Sequence, residues 1–500
     1  MHPPGRLRED QLPSLTIRAA SIAALSILPL PALAQTPPQP EVLRVTRTGD
    51  DLLEGSLRWA IERNNTAPGR FRIEIDPDAD TPVIRPASLL PAIKGPVRIE
   101  GAPWKRTGAL VVLDGAGFIQ NKGQQTCAGA TPGQYGANVR TLTNPGLAIV
   151  DTQGVEIAGL DIRNFCIGVL IHRSSGSTVE DSRIAGSRGG AGVMLTGDDG
   201  NGVSTSTTVH NKVLRNQFID NGDGLELTRG AAFNLIANNV FKSTDANPEA
   251  SQGIEVLLGH ENVIVRNRFE GYSDGIQVNG GNHNYIGSNV FTDNALALSM
   301  TGSGNVVDGN TITSNGIGVA LRPAARMGTT RVTRNTIHGN GQMVLRCWSG
   351  GSCDPKLYRG GIVFGTPAQE HAVYVGERGG GVEVDPAKFT HICPDGAPNC
   401  QAQPNHGIAP PVIDKVTREA TKLTFTGRAQ IGGLVELFGN RNAGDAEGEI
   451  FLGDTRVNGG GAFSVTVNAP SGLVPTSFTA TVTSTDGATS EFSRPAGLSD

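Results

Sequence analysis

The sequence predicts an all-β protein whose short strands stack, turn upon turn, into a parallel coil. Three observations lead there. A four-residue motif recurs through the middle of the chain, a second Asn-led motif is interleaved with it, and the composition favours turns. Gly and Pro supply 67 and 30 of the 500 residues, against 16 Phe, 5 Tyr and 3 Trp. That balance suits many tight turns better than a large helical core. The 42 basic and 47 acidic side chains give a net charge of −5, too mild for a nucleic-acid footprint. Beyond the N-terminus no uncharged apolar run reaches the ~18–20 residues of a membrane-spanning helix.

The first element is a targeting segment. Arg6, Arg8 and Arg18 precede an apolar stretch from Ala19 to Leu33, which closes on Ala32-Leu-Ala34-Gln35. Pro29 and Pro31 disfavour a core helix there. The pattern is that of a signal peptide over residues 1–34, so the mature chain is expected in the periplasm, at the cell surface or outside the cell. Residues 35–69 follow as a linker and N-terminal cap. Within it, Ser56 is placed to N-cap a short helix whose Leu57, Trp59, Ala60 and Ile61 would cover the open end of the coil.

The coil is expected over 70–408. Its motif reads Gly168-Val-Leu-Ile, Gly192-Val-Met-Leu, Gly224-Leu-Glu-Leu, Gly253-Ile-Glu-Val, Gly275-Ile-Gln-Val, Ala295-Leu-Ala-Leu and Gly318-Val-Ala-Leu, with starts 24, 32, 29, 22, 20 and 23 residues apart. Between these lie Asn216-Gln-Phe, Asn239-Val-Phe, Asn267-Arg-Phe, Asn289-Val-Phe, Asn310-Thr-Ile and Asn335-Thr-Ile. Strands of about four residues cannot bury a face alone, but stacked turns pair every backbone group at about 4.8 Å. Asn at a corner can bond its copies in a ladder and tolerates a left-handed turn. The Phe or Ile two residues on would then stack inside.

These repeats resemble the right-handed parallel β-helix family, the coil of pectate-lyase-like proteins that act on polysaccharides. The resemblance is in good register over roughly 95–340. It continues through Gly361-Ile-Val-Phe and Gly381-Val-Glu-Val across an irregular insertion at 341–405. From 409 to 500, alternating segments such as Lys422-Leu-Thr-Phe-Thr-Gly and Ser477-Phe-Thr-Ala-Thr-Val-Thr resemble the immunoglobulin-like β-sandwich modules that end bacterial surface proteins, usually as spacers or attachment points. The full expectation is a right-handed parallel β-helix with an N-terminal helical cap and a C-terminal Ig-like β-sandwich.

Six cysteines in an exported chain favour disulfides. Proximity pairs Cys347 with Cys353 and Cys393 with Cys400, leaving Cys127 for Cys166.

Register turns the repeats into a surface map. The middle residue of each motif faces outward, giving the column Leu170, Met194, Glu226, Glu255, Gln277, Ala297 and Ala320, and beside it His172, Thr196, Thr228, Leu257, Asn279, Ser299 and Arg322. Glu226 and Glu255 are the candidate catalytic pair. At about 5 Å their repulsion is worth roughly 3 kcal/mol, about two pKa units. Such a pair suits a retaining glycosidase or a Ca²⁺-assisted lyase; it is also consistent with two solvated carboxylates. Arg229, Gln277, Asn279 and His172 are the candidate substrate-binding residues. Asp198 and Asp199, in a loop of acidic, Asn and Gly residues, are a candidate Ca²⁺ site or a solvated turn. Asp223 and Asp274 read as ordinary turn residues that would also make this wall acidic. No nucleotide-binding or G-x-S-x-G motif is present. The function expected is binding, and cleavage or modification, of an extended polysaccharide along the coil by a lyase or hydrolase. The alternative is a non-catalytic adhesin or scaffold.

Overall fold

A computed structural model describes residues 39–499 apart from 78–81, 120–126, 128–141, 198–206, 245, 248–250, 323–327, 341, 344–355, 358–360, 365–403, 445 and 473. Three parallel sheets of 11, 10 and 9 strands build a right-handed β-helix, whose regular turns each give one strand to each sheet. The first sheet starts earlier than the sequence suggested. Glu41–Val45, expected in the cap region, pairs in parallel with Phe71–Ile75. Between these two strands lies the capping helix Leu57–Thr66, with Ser56 Oγ accepting from the Trp59 amide at 3.1 Å. Its Leu57, Ala60 and Ile61 are buried in the coil's core, and Trp59 packs against it half-buried.

The recurrent motif forms the nine-stranded sheet, including Ile167–His172, Asp223–Leu227, Gln252–Leu257 and Asp274–Asn279. One register differs from expectation. Gln277 pairs with Ser299 and Leu298 with Val319, so the sixth copy is Ala297-Leu-Ser-Met, two residues on from Ala295-Leu-Ala-Leu. Both tetrads read small-apolar-x-apolar, and a slip of two keeps the same face inward, so hydrophobicity could not choose between them. The correction puts Ser299, rather than Ala297, in line with Glu226, Glu255 and Gln277.

Inside, Phe218, Phe241, Phe269 and Phe291 stack with centroids 4.5, 4.9 and 4.8 Å apart. This stack explains the glycine of the motif. A Cβ on Gly224, Gly253 or Gly275 would lie 2.5–2.7 Å from the Phe ring of the following turn, Phe241, Phe269 or Phe291. The asparagines form three buried ladders rather than one, running through Asn239, Asn234 and Asn294 respectively. In each, the amide bonds the next copy and a backbone carbonyl, as where Asn239 donates to Asn267 Oδ1 at 3.0 Å and Val213 O at 2.9 Å. The left-handed residue is the one before each Asn, not the Asn itself: Arg215, Asn238, Arg266 and Ser288 all have φ between 55° and 59°. That residue turns the chain, and the buried Asn then holds the turn to its neighbour.

Cys127 is joined to Cys166, with Cα atoms 5.2 Å apart; the other four cysteines lie outside the described residues, as do Gly381 and most of the 341–405 insertion. The C-terminal segment forms two antiparallel three-stranded sheets around one core that includes Phe425, Leu437, Phe463, Phe478 and Val482. It is not a detached spacer. Glu436 Oε1 accepts from the Arg334 amide at 3.0 Å, Glu447 Oε1 from the Asn340 amide at 3.1 Å, and Glu491 Oε1 from the Phe364 amide at 3.0 Å. The module thus supplies acceptors to backbone donors of the last turn among the described residues.

Candidate active site

The outward column is not a solvated surface. Leu170 and Met194 join Ile167 and Ala191 in an apolar cluster outside the coil, against which Leu142 and Leu257 pack. Glu226 is fully buried, Gln277 nearly so, and Glu255 is half-buried. This overturns the reading of Glu226 and Glu255 as an exposed pair: apolar neighbours on the same face make it a covered one.

Glu226 and Glu255 are paired across adjacent strands, as the repeat implied. A third carboxylate joins them. One oxygen each of Asp223, Glu226 and Glu255 lie within 4.8 Å of one another. Asp223 is a strand residue, not a turn residue, and the glycine after it is what brings it in. Because Gly224 as well as Leu225 faces the coil's interior, strict alternation breaks, and residues three apart share the outer face. The same happens two repeats on, where Gln277 Nε2 donates to Asp274 Oδ2 at 3.1 Å. Sequence reasoning that assumed period-two alternation missed both aspartates as site residues; the repeated Asp-Gly at 223–224 and 274–275 was the available signal.

Burial raises the pKa of Asp223, partly offset by its hydrogen bond to Glu226 and by the Gln252 amide at 3.0 Å. A hydrogen bond between two carboxyl groups requires a proton on one of them. Glu255 is pushed up to about 7 by burial first and by the Asp223 charge second, while a hydrogen bond from Asn279 opposes the shift. Asn279 Nδ2 donates to Glu255 Oε1 at 3.1 Å and to Gln277 Oε1 at 2.5 Å. Arg322, a buried cation, donates from Nη2 to Asn279 Oδ1 at 2.7 Å.

The cluster can therefore hold and exchange protons near neutrality. Its three carboxylate oxygens are also a donor set that a divalent cation such as Ca²⁺ would take. The remaining candidates are placed less centrally. His172 pairs with Thr196, three strands from Glu255 or about 14 Å along the sheet axis. Arg229 lies in the turn after Thr228. Asp198 and Asp199 lie outside the described residues.

A family model described as a right handed beta helix region matches residues 134–267 and 201–358. A 3-dehydroshikimate dehydratase of Acinetobacter baylyi is 48% identical over 460 residues, which span 91% of this chain and 94% of that protein. Among solved structures, a periplasmic alginate epimerase aligns at 13% identity with a TM-score of 0.31, covering 53% of this chain and 75% of its own. The Dettilon tailspike protein aligns at 11% identity and a TM-score of 0.35, covering 85% and 92%.

Proposed function

We propose that this chain, which belongs to the family of the Acinetobacter 3-dehydroshikimate dehydratase, removes water from 3-dehydroshikimate or a closely similar cyclic hydroxy-keto acid. The observation that carries the reading is the covered trio of Asp223, Glu226 and Glu255, with one carboxyl held near pKa 7. An extended polysaccharide needs an open groove for several rings, whereas a buried proton-exchanging cluster suits one small ring. The polysaccharide expectation therefore takes second place.

Dehydration of a β-hydroxy ketone needs a base for the proton on the carbon between ketone and leaving hydroxyl, and an acid for that hydroxyl. Glu255 is the base. The C–H electron pair becomes the new C=C bond, and the C–O bond breaks as the leaving oxygen takes the proton shared by Asp223 and Glu226. Water departs. Loss of one further ring proton, with a proton gained by the ketone oxygen, leaves an aromatic dihydroxybenzoate, so atoms and charge balance.

The N-terminal pattern supports action outside the inner membrane, testable by sequencing the N-terminus of the secreted chain. No helix among the described residues is long and apolar enough to cross a membrane.

The test is to incubate the purified chain with 3-dehydroshikimate and follow the aromatic product by absorbance and chromatography, with and without prior chelation. Turnover that Glu255→Gln abolishes is expected. A folded protein that forms no aromatic product, yet shortens uronic-acid polysaccharides, would overturn the reading in favour of the second.

A further inference from the structure

We infer that Arg322 is a positioning residue which, through Asn279 and Gln277, fixes the direction of a hydrogen-bond chain so that each of the two amides turns an N–H toward a carboxylate of the site. The chain is continuous. Arg322 Nη2 donates to Asn279 Oδ1 at 2.7 Å; Asn279 Nδ2 donates to Glu255 Oε1 at 3.1 Å and Gln277 Oε1 at 2.5 Å; Gln277 Nε2 donates to Asp274 Oδ2 at 3.1 Å. Guanidinium has donors only. With Arg322 in place, the Asn279 oxygen must face it, so the Asn279 amide nitrogen must face Glu255 and Gln277. The Gln277 oxygen is then taken, and its nitrogen can only turn to Asp274. One donor-only cation thus orders two reversible amides. Without it, either amide could flip and present a carbonyl to a carboxylate, which would be repulsive unless that carboxyl kept its proton.

Direct charge attraction does not explain the arrangement alone. Arg322 is on the strand-end row three turns beyond Glu255, reaches the intervening Asn279, and also approaches Val278 O at 3.5 Å. The charged groups facing Glu255 are Asp223 and Asp274, which favour its protonated form, and Arg322, which opposes them; Glu226 stands beside it on the adjoining strand. As a statement about catalysis this inference rests on the dehydratase reading. As a statement about which way the Asn279 and Gln277 amides face, it needs no substrate.

The experiment follows that separation. The full chain, labelled with ¹³C at glutamate side-chain carboxyls, is titrated by NMR, with Glu255 assigned from the signal lost in Glu255→Gln. The same titration is run on Arg322→Met, Arg322→Lys and Asn279→Asp, and the pH profile of kcat/KM is recorded alongside. In Arg322→Met the Glu255 midpoint and the acidic limb of the profile are expected to rise together by about one pH unit, with KM changing less than kcat. Asn279→Asp should raise the midpoint even with Arg322 present, because aspartate offers Glu255 no N–H. Arg322→Lys keeps a donor-only cation and should stay within a few tenths of a unit of the parent. An unmoved midpoint in folded Arg322→Met, or one that moves equally in Arg322→Lys, overturns the inference. A chain that shows these shifts but never turns over 3-dehydroshikimate overturns the dehydratase reading and leaves this one standing.

Discussion

Two groups of covered carboxylates among the described residues are handled in opposite ways. At the C-terminal end, Glu436, Glu447 and Glu491 each accept a backbone N–H from the last turn. In the middle, Asp223, Glu226 and Glu255 crowd within 4.8 Å; burial raises the pKa of Asp223, and burial and then the Asp223 charge raise that of Glu255. The first set meets the donors of the last turn among the described residues. The second holds charge against charge in a covered place, which folding alone would not favour. Burial therefore does not identify a working acid; its partners do.

The sharpest test of that contrast exchanges one oxygen for nitrogen in each set. Glu255→Gln is expected to lower dehydratase turnover by about 10²–10⁴-fold while leaving the melting temperature unchanged or higher, since it removes a buried repulsion. Glu436→Gln should leave kcat/KM at the parent value. Steady-state kinetics and calorimetry on the two variants decide it, and equal losses of activity would erase the distinction.

The pH dependence of stability comes next in size. The folded state holds Glu255 at about 7, above the 4.5 of an unperturbed glutamate. Its folded form binds the extra proton, so stability is greatest below about 4.5 and falls as pH rises to about 7. The loss is at most roughly 3 kcal/mol from this group. Urea unfolding across that window should show the decline in the parent and a flatter curve in Glu255→Gln. A slope that survives the substitution would place the proton on another member of the trio.

How much of this was legible in the sequence depends on what kind of fact is asked for. The coil, the Phe stack, the inward and outward faces and the pairing of Glu226 with Glu255 all follow from repeat spacing, because a stacked turn forces like residues into line. What spacing could not supply was the break in alternation at Gly224, which depends on a ring from the following turn, Phe241, occupying the space a Cβ would need. Asp223 therefore read as a corner residue. Nor could spacing tell a wet face from a covered one, so Glu226 read as exposed although Leu170 and Met194 stood beside it in the same column. The slip at Ala295 has the same origin: a pattern of period two is blind to a shift of two.

The smallest effect probes the C-terminal module's chemistry. Asn340 ends a ladder in which each earlier asparagine, such as Asn294 and Asn315, gives its backbone N–H and side-chain N–H to the amide oxygen of the next copy. At Asn340 no further turn exists among the described residues, and Glu447 Oε1 accepts both donors at 3.1 and 3.0 Å in its place. If Glu447 is simply the next rung, only the acceptor oxygen matters. Glu447→Gln restores the amide used by every earlier rung and should cost less than about 0.5 kcal/mol, whereas Glu447→Ala strands both donors and should cost about 1–3 kcal/mol. Chemical denaturation of the pair measures the difference. Equal destabilisation would mean that the negative charge itself is required, and the coil's end would then resemble its middle after all.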